Sequence, residues 1–141
     1  NQKKLGLAAE KIILNNEKFF LKSFGIEKEP IHVAREDVSL GYDILSFRKD
    51  NNLLKEIYIE VKAVSLSNYQ FHLSTSEYQN AIKLNPNYFI YLLPVDRSLF
   101  DGFDLKSLLK INNIKENLFE NKMEWSVESD GHLITKNNFN D

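Results

Sequence analysis

The stretch EIYIEVKAV, residues 56–64, alternates polar and apolar side chains in the manner of a β-strand. Side chains two positions apart in a strand point to the same face of the sheet. Glu60 and Lys62 therefore share one face with Tyr58. The opposite face is apolar and is expected to pack in the core; it carries Ile57, Ile59, Val61 and Ala63. The pattern thus predicts a carboxylate and an ammonium next to each other on a strand that is anchored by its other face.

A second acidic residue, Asp43, stands near the start of another strand-like run, residues 42–47. The polar segment RKDNN, residues 48–52, follows this run, and its composition is typical of a turn. The runs on either side of it, residues 42–47 and 54–64, are therefore expected to form an antiparallel hairpin. Asp43 and Glu60 would then lie on neighbouring strands.

The residues before the hairpin predict a helix and a short strand. Apolar residues recur at helical spacing over residues 3–24, and Gly25 follows at the position where a helix would end. A weak first strand is expected at residues 31–34.

The residues after the hairpin predict a second helix and a buried strand. Ser74 and Glu77 form a capping-box pattern, and Pro86 marks the limit of the helix that they begin. Residues 88–93 are continuously apolar, as in a strand that is buried on both faces. The order strand, helix, strand implies a right-handed crossover and a parallel pair. We therefore expect a single α/β domain with a mixed sheet flanked by helices.

The C-terminal third predicts a third helix and a hairpin. The helix is expected over residues 104–118 with Asp104 as its N-cap. The hairpin is expected to pair residues 124–127 with residues 132–135 through a turn at Asp130 and Gly131.

Composition limits the function classes. The chain has 141 residues, enough for one domain with a hydrophobic core, and it has no cysteine, which excludes disulfides and thiolate zinc sites. The longest apolar run, residues 88–95, is too short to span a membrane. The formal net charge of −2 argues against a strongly basic, free-standing nucleic-acid binder. Because the chain starts with Asn1, we expect a piece of a larger protein. The histidines are too scattered for a zinc pattern: His32, His72 and His132.

Two carboxylates and a lysine on adjacent strands are typical of metal-assisted phosphodiester hydrolysis. Mg²⁺ prefers hard oxygen ligands, and a bound metal ion lowers the pKa of its water. Asp43 and Glu60 are the candidate ligands, with the backbone carbonyl of Val61 as a third. Lys62 would orient the attacking water and offset the charge of the phosphate. The competing interpretation is a solvent-facing charge pattern, which is common on half-exposed sheets.

Two features of the first helix bear on the same chemistry. Glu10 falls between Ile13 and Leu14 on the helical wheel, so it either borders the core or reaches out to water. A row of lysines on the outer side forms either a solvated helix face or a track for nucleic-acid phosphates: Lys4, Lys11 and Lys18.

The order of these elements resembles the PD-(D/E)xK nuclease superfamily, which has the restriction-endonuclease-like fold. The local sequence is more similar still to the domain at the C-terminus of the plant protein NO VEIN. The similar segments are Gly6-x-x-x-Glu10, Gly41-Tyr42-Asp43-Ile44, Ile59-Glu60-Val61-Lys62, Leu73-Ser74-x-x-Glu77 and Tyr88-x-x-Tyr91. The resemblance implies an αβββαβ core over about residues 4–95 and a C-terminal extension over residues 96–141 that matches much less clearly. The superfamily's proline before the first acid is Tyr42 here.

The resemblance also implies roles for individual residues. Asp43, Glu60 and Lys62 would occupy the metal and catalytic positions, and Glu10 would assist from the helix. Glu77 and Gln79 would be accessory residues on the second helix, although the capping box alone also explains Glu77. The implied activity is a Mg²⁺-dependent endonuclease acting on DNA, with Mn²⁺ as a substitute metal.

The biological setting follows from the same resemblance. It implies the nuclease module of a bacterial, cytoplasmic defence or restriction protein, joined to other domains or subunits of the helicase or ATPase type. A homodimer is compatible with it. The alternative function is a non-catalytic module of the same fold that binds nucleic acid or a partner protein. A third interpretation is an interaction domain of unrelated type, on which the charges only decorate a sheet.

Overall fold

A five-stranded mixed sheet and a smaller three-stranded sheet form the framework of the protein. The computed structural model describes residues 2–33, 40–100, 102–128 and 132–138. The α-helices within these ranges are α1 (Gln2–Ser23) and α2 (Thr75–Lys83). The strands are β1 (Ile31–His32), β2 (Ile44–Asp50), β3 (Leu53–Ser65), β4 (Gln70–His72), β5 (Tyr88–Val95), β6 (Leu109–Ile111), β7 (Trp125–Glu128) and β8 (Leu133–Lys136).

The larger sheet has the strand order β1-β2-β3-β5-β6, and the smaller sheet has the order β4-β8-β7. In the larger sheet β3 and β5 are parallel, and the other neighbouring pairs are antiparallel. The predicted parallel pair is confirmed, with β4 and α2 in the connection between its strands. The predicted mixed sheet flanked by helices is also confirmed.

Both faces of β3 are covered. On one face Ile59 lies in an apolar cluster with Ile13 of α1. On the other face Val64 packs in a second cluster with Ala81 of α2. Glu60 points to this second face and is only 5% exposed. The alternating sequence predicted one core face, but α2 and the smaller sheet also cover the face that carries the charges.

The end of α1 is fixed by the glycine that the sequence indicated. Gly25 has φ +70°, in the left-handed region that favours glycine. Its N–H donates to the carbonyl of Lys22 at 3.1 Å, and the N–H of Ile26 donates to that of Leu21 at 2.9 Å. This pair of bonds is a Schellman motif, and Ile26 and Leu21 also share a small apolar cluster with Phe47.

The β2–β3 turn is tighter than predicted. Asn51 and Asn52 have φ of 50° and 67°, and Asp50 pairs directly with Leu53. Two residues with positive φ form a type I′ connection, whose twist suits a hairpin. Only the last two residues of the predicted turn, residues 48–52, therefore belong to it, and the first three extend β2.

A buried polar network explains why Arg48 belongs to a strand. Glu17 of α1 is fully buried. Its Oε1 accepts hydrogen bonds from the Ser46 hydroxyl at 2.6 Å and from Arg48 Nη1 at 2.8 Å. Arg48 Nη2 donates to Glu17 Oε2 at 3.0 Å. The guanidinium also lies over the ring of Phe20, with Cζ 4.1 Å from the centroid. A buried carboxylate needs such a partner, so a polar residue is retained inside the sheet.

The predicted third helix, residues 104–118, is wrong. A 3₁₀ turn (Leu105–Ser107), β6 and a π-helical turn (Lys115–Phe119) occupy this segment. Asp104 does act as an N-cap, but of the 3₁₀ turn, where its side chain accepts a hydrogen bond from the Lys106 N–H at 3.0 Å. The apolar residues fit a helical spacing, yet β6 pairs with β5 at the edge of the larger sheet, where Leu109 and Ile111 join the second apolar cluster.

The predicted C-terminal hairpin is confirmed, since β7 and β8 pair antiparallel with Val127 opposite Ile134. Its expected turn at Asp130 and Gly131, like the end of the first predicted strand at Ala34, lies outside the described residues. Within the described ranges, neither helix combines the length and the apolar character that crossing a membrane would require.

Replacing Gly25 with alanine tests the helix terminus. A Cβ at this position would meet no neighbouring atom within 4 Å, so the cost comes from the backbone conformation alone. We expect Gly25→Ala to lower the free energy of unfolding by about 1 kcal/mol, measured by urea denaturation.

Gly6→Ala is the matched control for this measurement. Gly6 lies inside α1 and also has no atom within 4 Å of an added Cβ. Alanine should stabilise this position by up to about 1 kcal/mol, because it is a better helix former. Equal effects of the two substitutions would contradict the assignment of Gly25 as the helix terminus.

Candidate active site

Asp43 is held at the point where β2 begins, next to Glu60 of β3. Its backbone N–H donates to the carbonyl of Ile59 at 2.9 Å. Its side-chain Oδ2 accepts a hydrogen bond from the N–H of Val61 at 2.8 Å. Asp43 is thus bound to the residues on both sides of Glu60, which fixes the first acid beside the second.

The residues before Asp43 bring the chain close to α2. Gly41 has φ +77°, and a Cβ there would lie 2.2 Å from the Nδ2 atom of Asn80 on α2. The carbonyl of Gly41 accepts a hydrogen bond from the hydroxyl of Tyr88 at 3.1 Å. The positive φ therefore favours glycine at this position, and an added Cβ would also require the Asn80 side chain to move.

Lys62 lies between two glutamates. Its Nζ is 3.3 Å from Oε2 of Glu60 and 3.0 Å from Oε1 of Glu77. The same Glu77 oxygen accepts a hydrogen bond from the Ser74 N–H at 3.0 Å, and this bond completes the capping box of α2. Glu77 therefore serves both interpretations that the sequence left open: it caps the helix and contacts the candidate catalytic lysine.

The two metal-ligand candidates resist ionising together. Burial raises the pKa of Asp43 to about 6, and the charge of Glu10 adds to this increase against the opposing effects of the Val61 N–H and Lys62. Burial also raises the pKa of Glu60, and the charge of Asp43 is the next cause. The charge of Asp43 thus makes Glu60 harder to ionise, and a divalent cation would relieve this repulsion.

The lysine and the glutamate of α2 stabilise each other's charges. Burial acts to lower the pKa of Lys62, but Glu60 and Glu77 outweigh it, so the pKa is raised. Burial acts to raise the pKa of Glu77, but Lys62 and the Ser74 N–H outweigh it, so the pKa is lowered. Lys62 is therefore a cation near neutral pH, suited to orienting a water or a phosphate rather than to accepting a proton.

The donor chemistry fits a hard divalent cation. Asp43 and Glu60 supply carboxylate oxygens, the ligand type that Mg²⁺ prefers. Within the described ranges, no group of three or more His, Asp or Glu side chains is arranged to hold a metal ion. The two carboxylates would therefore need further ligands, and the carbonyl of Val61 remains the predicted one, with water completing the shell.

Glu10 lies at the edge of the core, and it has a partner that the sequence did not indicate. Its Oε1 is 2.5 Å from Nε2 of His32 on β1. The charge of Glu10 acts on Asp43, as its effect on the pKa of Asp43 shows. His32 and Glu10 are 22 positions apart, so no local sequence pattern could have joined them.

The remaining candidates lie apart from these contacts. Gln79 is exposed on α2, and no hydrogen bond within the described ranges joins it to the acids or to Lys62. The outer-side lysines of α1 are exposed, as expected for either a solvated face or a phosphate track: Lys4, Lys11 and Lys18.

Comparison with known proteins gave one finding. A family model described as Protein NO VEIN, C-terminal, matches residues 9–102 of the chain. The matched range contains every candidate acid and Lys62, and it ends before the 3₁₀ turn and β6. No curated protein and no solved structure gave a significant match.

Asp43→Asn tests the electrostatics of the site through the pH dependence of stability. A carboxyl whose pKa is raised on folding destabilises the native state increasingly as pH rises from about 4 to about 6. Asparagine cannot ionise, and its amide oxygen can still accept the Val61 N–H. We therefore expect the variant to be about 2 kcal/mol more stable than the wild type at pH 8. The difference should vanish near pH 4.

Urea denaturation in the presence of a chelator measures this difference without interference from metal ions. Asp50→Asn, at the exposed end of β2, serves as the control and should have little effect at either pH. A constant difference between Asp43→Asn and the wild type from pH 4 to pH 8 would contradict the raised pKa of Asp43.

Proposed function

The chain belongs to the family of Protein NO VEIN C-terminal domains, and from this premise we propose that it is a Mg²⁺-dependent nuclease domain that hydrolyses phosphodiester bonds in DNA. The observation that carries the proposal is the set of contacts around β3. Asp43 is bound to the backbone beside Glu60, and Lys62 contacts the Glu60 carboxylate. Two acids and one lysine thus meet at the junction of two strands.

The order of elements supports a restriction-endonuclease-like core. The chain runs α1, β1, β2, β3, α2, β5, with β4 as an additional short strand before α2. Asp43 immediately precedes β2, and Glu60 and Lys62 lie on β3, the positions in which PD-(D/E)xK nucleases carry their acids and lysine. We therefore propose that this chain is a member of that superfamily.

The proposed mechanism gives each side chain a role. Asp43 and Glu60, with the Val61 carbonyl, would hold Mg²⁺, which when bound supplies positive charge at the phosphate and a more acidic water. Lys62, as a cation, would orient the attacking water and offset charge on the phosphate. Glu77, in the first turn of α2, would keep Lys62 in place, because its Oε1 lies 3.0 Å from the Lys62 ammonium. Glu10 would assist as a further carboxylate near Asp43.

The proposed substrate and partners follow from charge and family. The net charge of −2 is unfavourable for independent capture of DNA. Contacts to phosphates would come from the exposed lysines of α1, and other domains or subunits of the ATPase or helicase type would deliver the substrate. This assembly would act in defence or restriction in the bacterial cytoplasm.

A non-catalytic module of the same fold is the second candidate, and one observation favours it. Lys62 contacts both Glu60 and Glu77, so the three charges form a nearly satisfied network without a metal ion. Buried acids of this kind would then be retained for structure, and the domain would bind nucleic acid or a partner protein.

Calorimetric titration with Mn²⁺ separates the two candidates. We expect the wild type to release or absorb heat on binding one ion and Glu60→Gln to bind at least tenfold more weakly, because one carboxylate ligand is lost. An absence of binding by the wild type would favour the non-catalytic module.

Lys62→Ala tests the catalytic proposal directly. We expect the wild type to nick supercoiled plasmid DNA in Mg²⁺ or Mn²⁺ and not in a chelator. The variant should lose at least ~100-fold of this activity, because the positioned ammonium is removed. Agarose gels that resolve supercoiled, nicked and linear DNA measure the rate.

Two further variants exclude trivial explanations for a loss of nicking. Lys55→Ala removes the same charge from an exposed position on β3, and it should cleave like the wild type. Lys62→Met removes the charge but retains the length of the side chain. Circular dichroism and thermal unfolding of this variant check that the fold is retained. Cleavage by a folded Lys62 variant at the wild-type rate would contradict a catalytic role.

A further inference from the structure

The contact between His32 and Glu10 is short and shielded from water. Nε2 of His32 and Oε1 of Glu10 are 2.5 Å apart, and their side chains are only 7% and 18% exposed. β1 pairs with β2 so that His32 lies opposite Ile44, the residue that follows Asp43. The pair is therefore built into the fold at the edge of the candidate active site.

The contact uses one oxygen of the Glu10 carboxylate. Within the described ranges, no hydrogen bond to the second oxygen, Oε2, accompanies this contact. Nε2 of His32 is occupied by Glu10, so this nitrogen is not available to bind a metal ion directly. A neutral imidazole can donate its N–H to the carboxylate, and the contact thus requires no charge on His32.

We propose that His32 is a positioning residue of the candidate active site, which fixes the Glu10 carboxylate beside Asp43 and thereby strengthens metal binding. This inference rests on the proposed metal-dependent function. Outer partners that orient acidic groups around a metal typically change its affinity by about 10–100-fold when they are removed. His32 acts through Glu10, so its contribution should disappear when Glu10 can no longer carry a charge.

A double-mutant cycle on metal affinity tests the proposal without using activity. Calorimetry with Mn²⁺ is performed on the wild type, His32→Leu, Glu10→Gln and the double variant. We expect His32→Leu to bind Mn²⁺ about tenfold more weakly than the wild type. The double variant should bind no more weakly than Glu10→Gln alone, because both changes remove the same contribution.

Two variants control for structural effects. His32→Gln places an amide donor near the position of Nε2 and should restore most of the affinity that His32→Leu loses. His72→Leu removes a histidine from β4, where the side chain is exposed, and should leave the affinity unchanged. Thermal unfolding of each metal-free variant checks that the fold is retained.

The outcomes distinguish this inference from the proposed function. Wild-type affinity in folded His32→Leu, or independent additive losses in the double variant, would overturn the role of His32 and leave the metal site intact. An absence of Mn²⁺ binding by the wild type would overturn both proposals.

Discussion

Burial of β3 on both faces is the constraint on which the rest of the structure depends. Its apolar face packs on α1, and its charged face is covered by α2 and the smaller sheet. A charged side chain in such a place is costly unless a partner compensates it. The structure supplies those partners: Lys62 for Glu60, Glu77 for Lys62 and the Val61 N–H for Asp43. The candidate site is thus a direct result of placing ionisable residues on a central strand.

The N-terminus of α2 shows how one carboxylate can satisfy two requirements. Glu77 completes the capping box with Ser74, which satisfies backbone donors at the start of the helix. Its Oε1 accepts hydrogen bonds both from the Ser74 N–H and from the Lys62 ammonium. Because the cap fixes the side chain, the position of Lys62 is coupled to the start of the helix. Structure and proposed chemistry therefore constrain Glu77 together, and a substitution there would affect both.

The features that were predictable from the sequence are those with a local signal. The helical spacing of apolar residues and Gly25 predicted α1, and the capping box predicted the start of α2. The alternation of polar and apolar residues over 56–64 predicted β3. The predicted third helix was wrong because part of its segment, Leu109–Ile111, pairs with β5, and such a non-local contact leaves no signal in the local spacing. The partners of Glu10 and Glu17 are 22 to 31 positions away in the chain, so only the fold could reveal them.

The two glutamates of α1 have a mechanical consequence. Glu10 and Glu17 are seven positions apart, about two helical turns, so they lie on the same side of the helix. One is tied to β1 through His32 and the other to β2 through Ser46 and Arg48. These two sets of contacts oppose a shift of α1 along the sheet, because a shift of one helical turn, about 5.4 Å, would break both sets. A displacement of α1 along the sheet would therefore cost these hydrogen bonds, which couple the helix to β1 and β2.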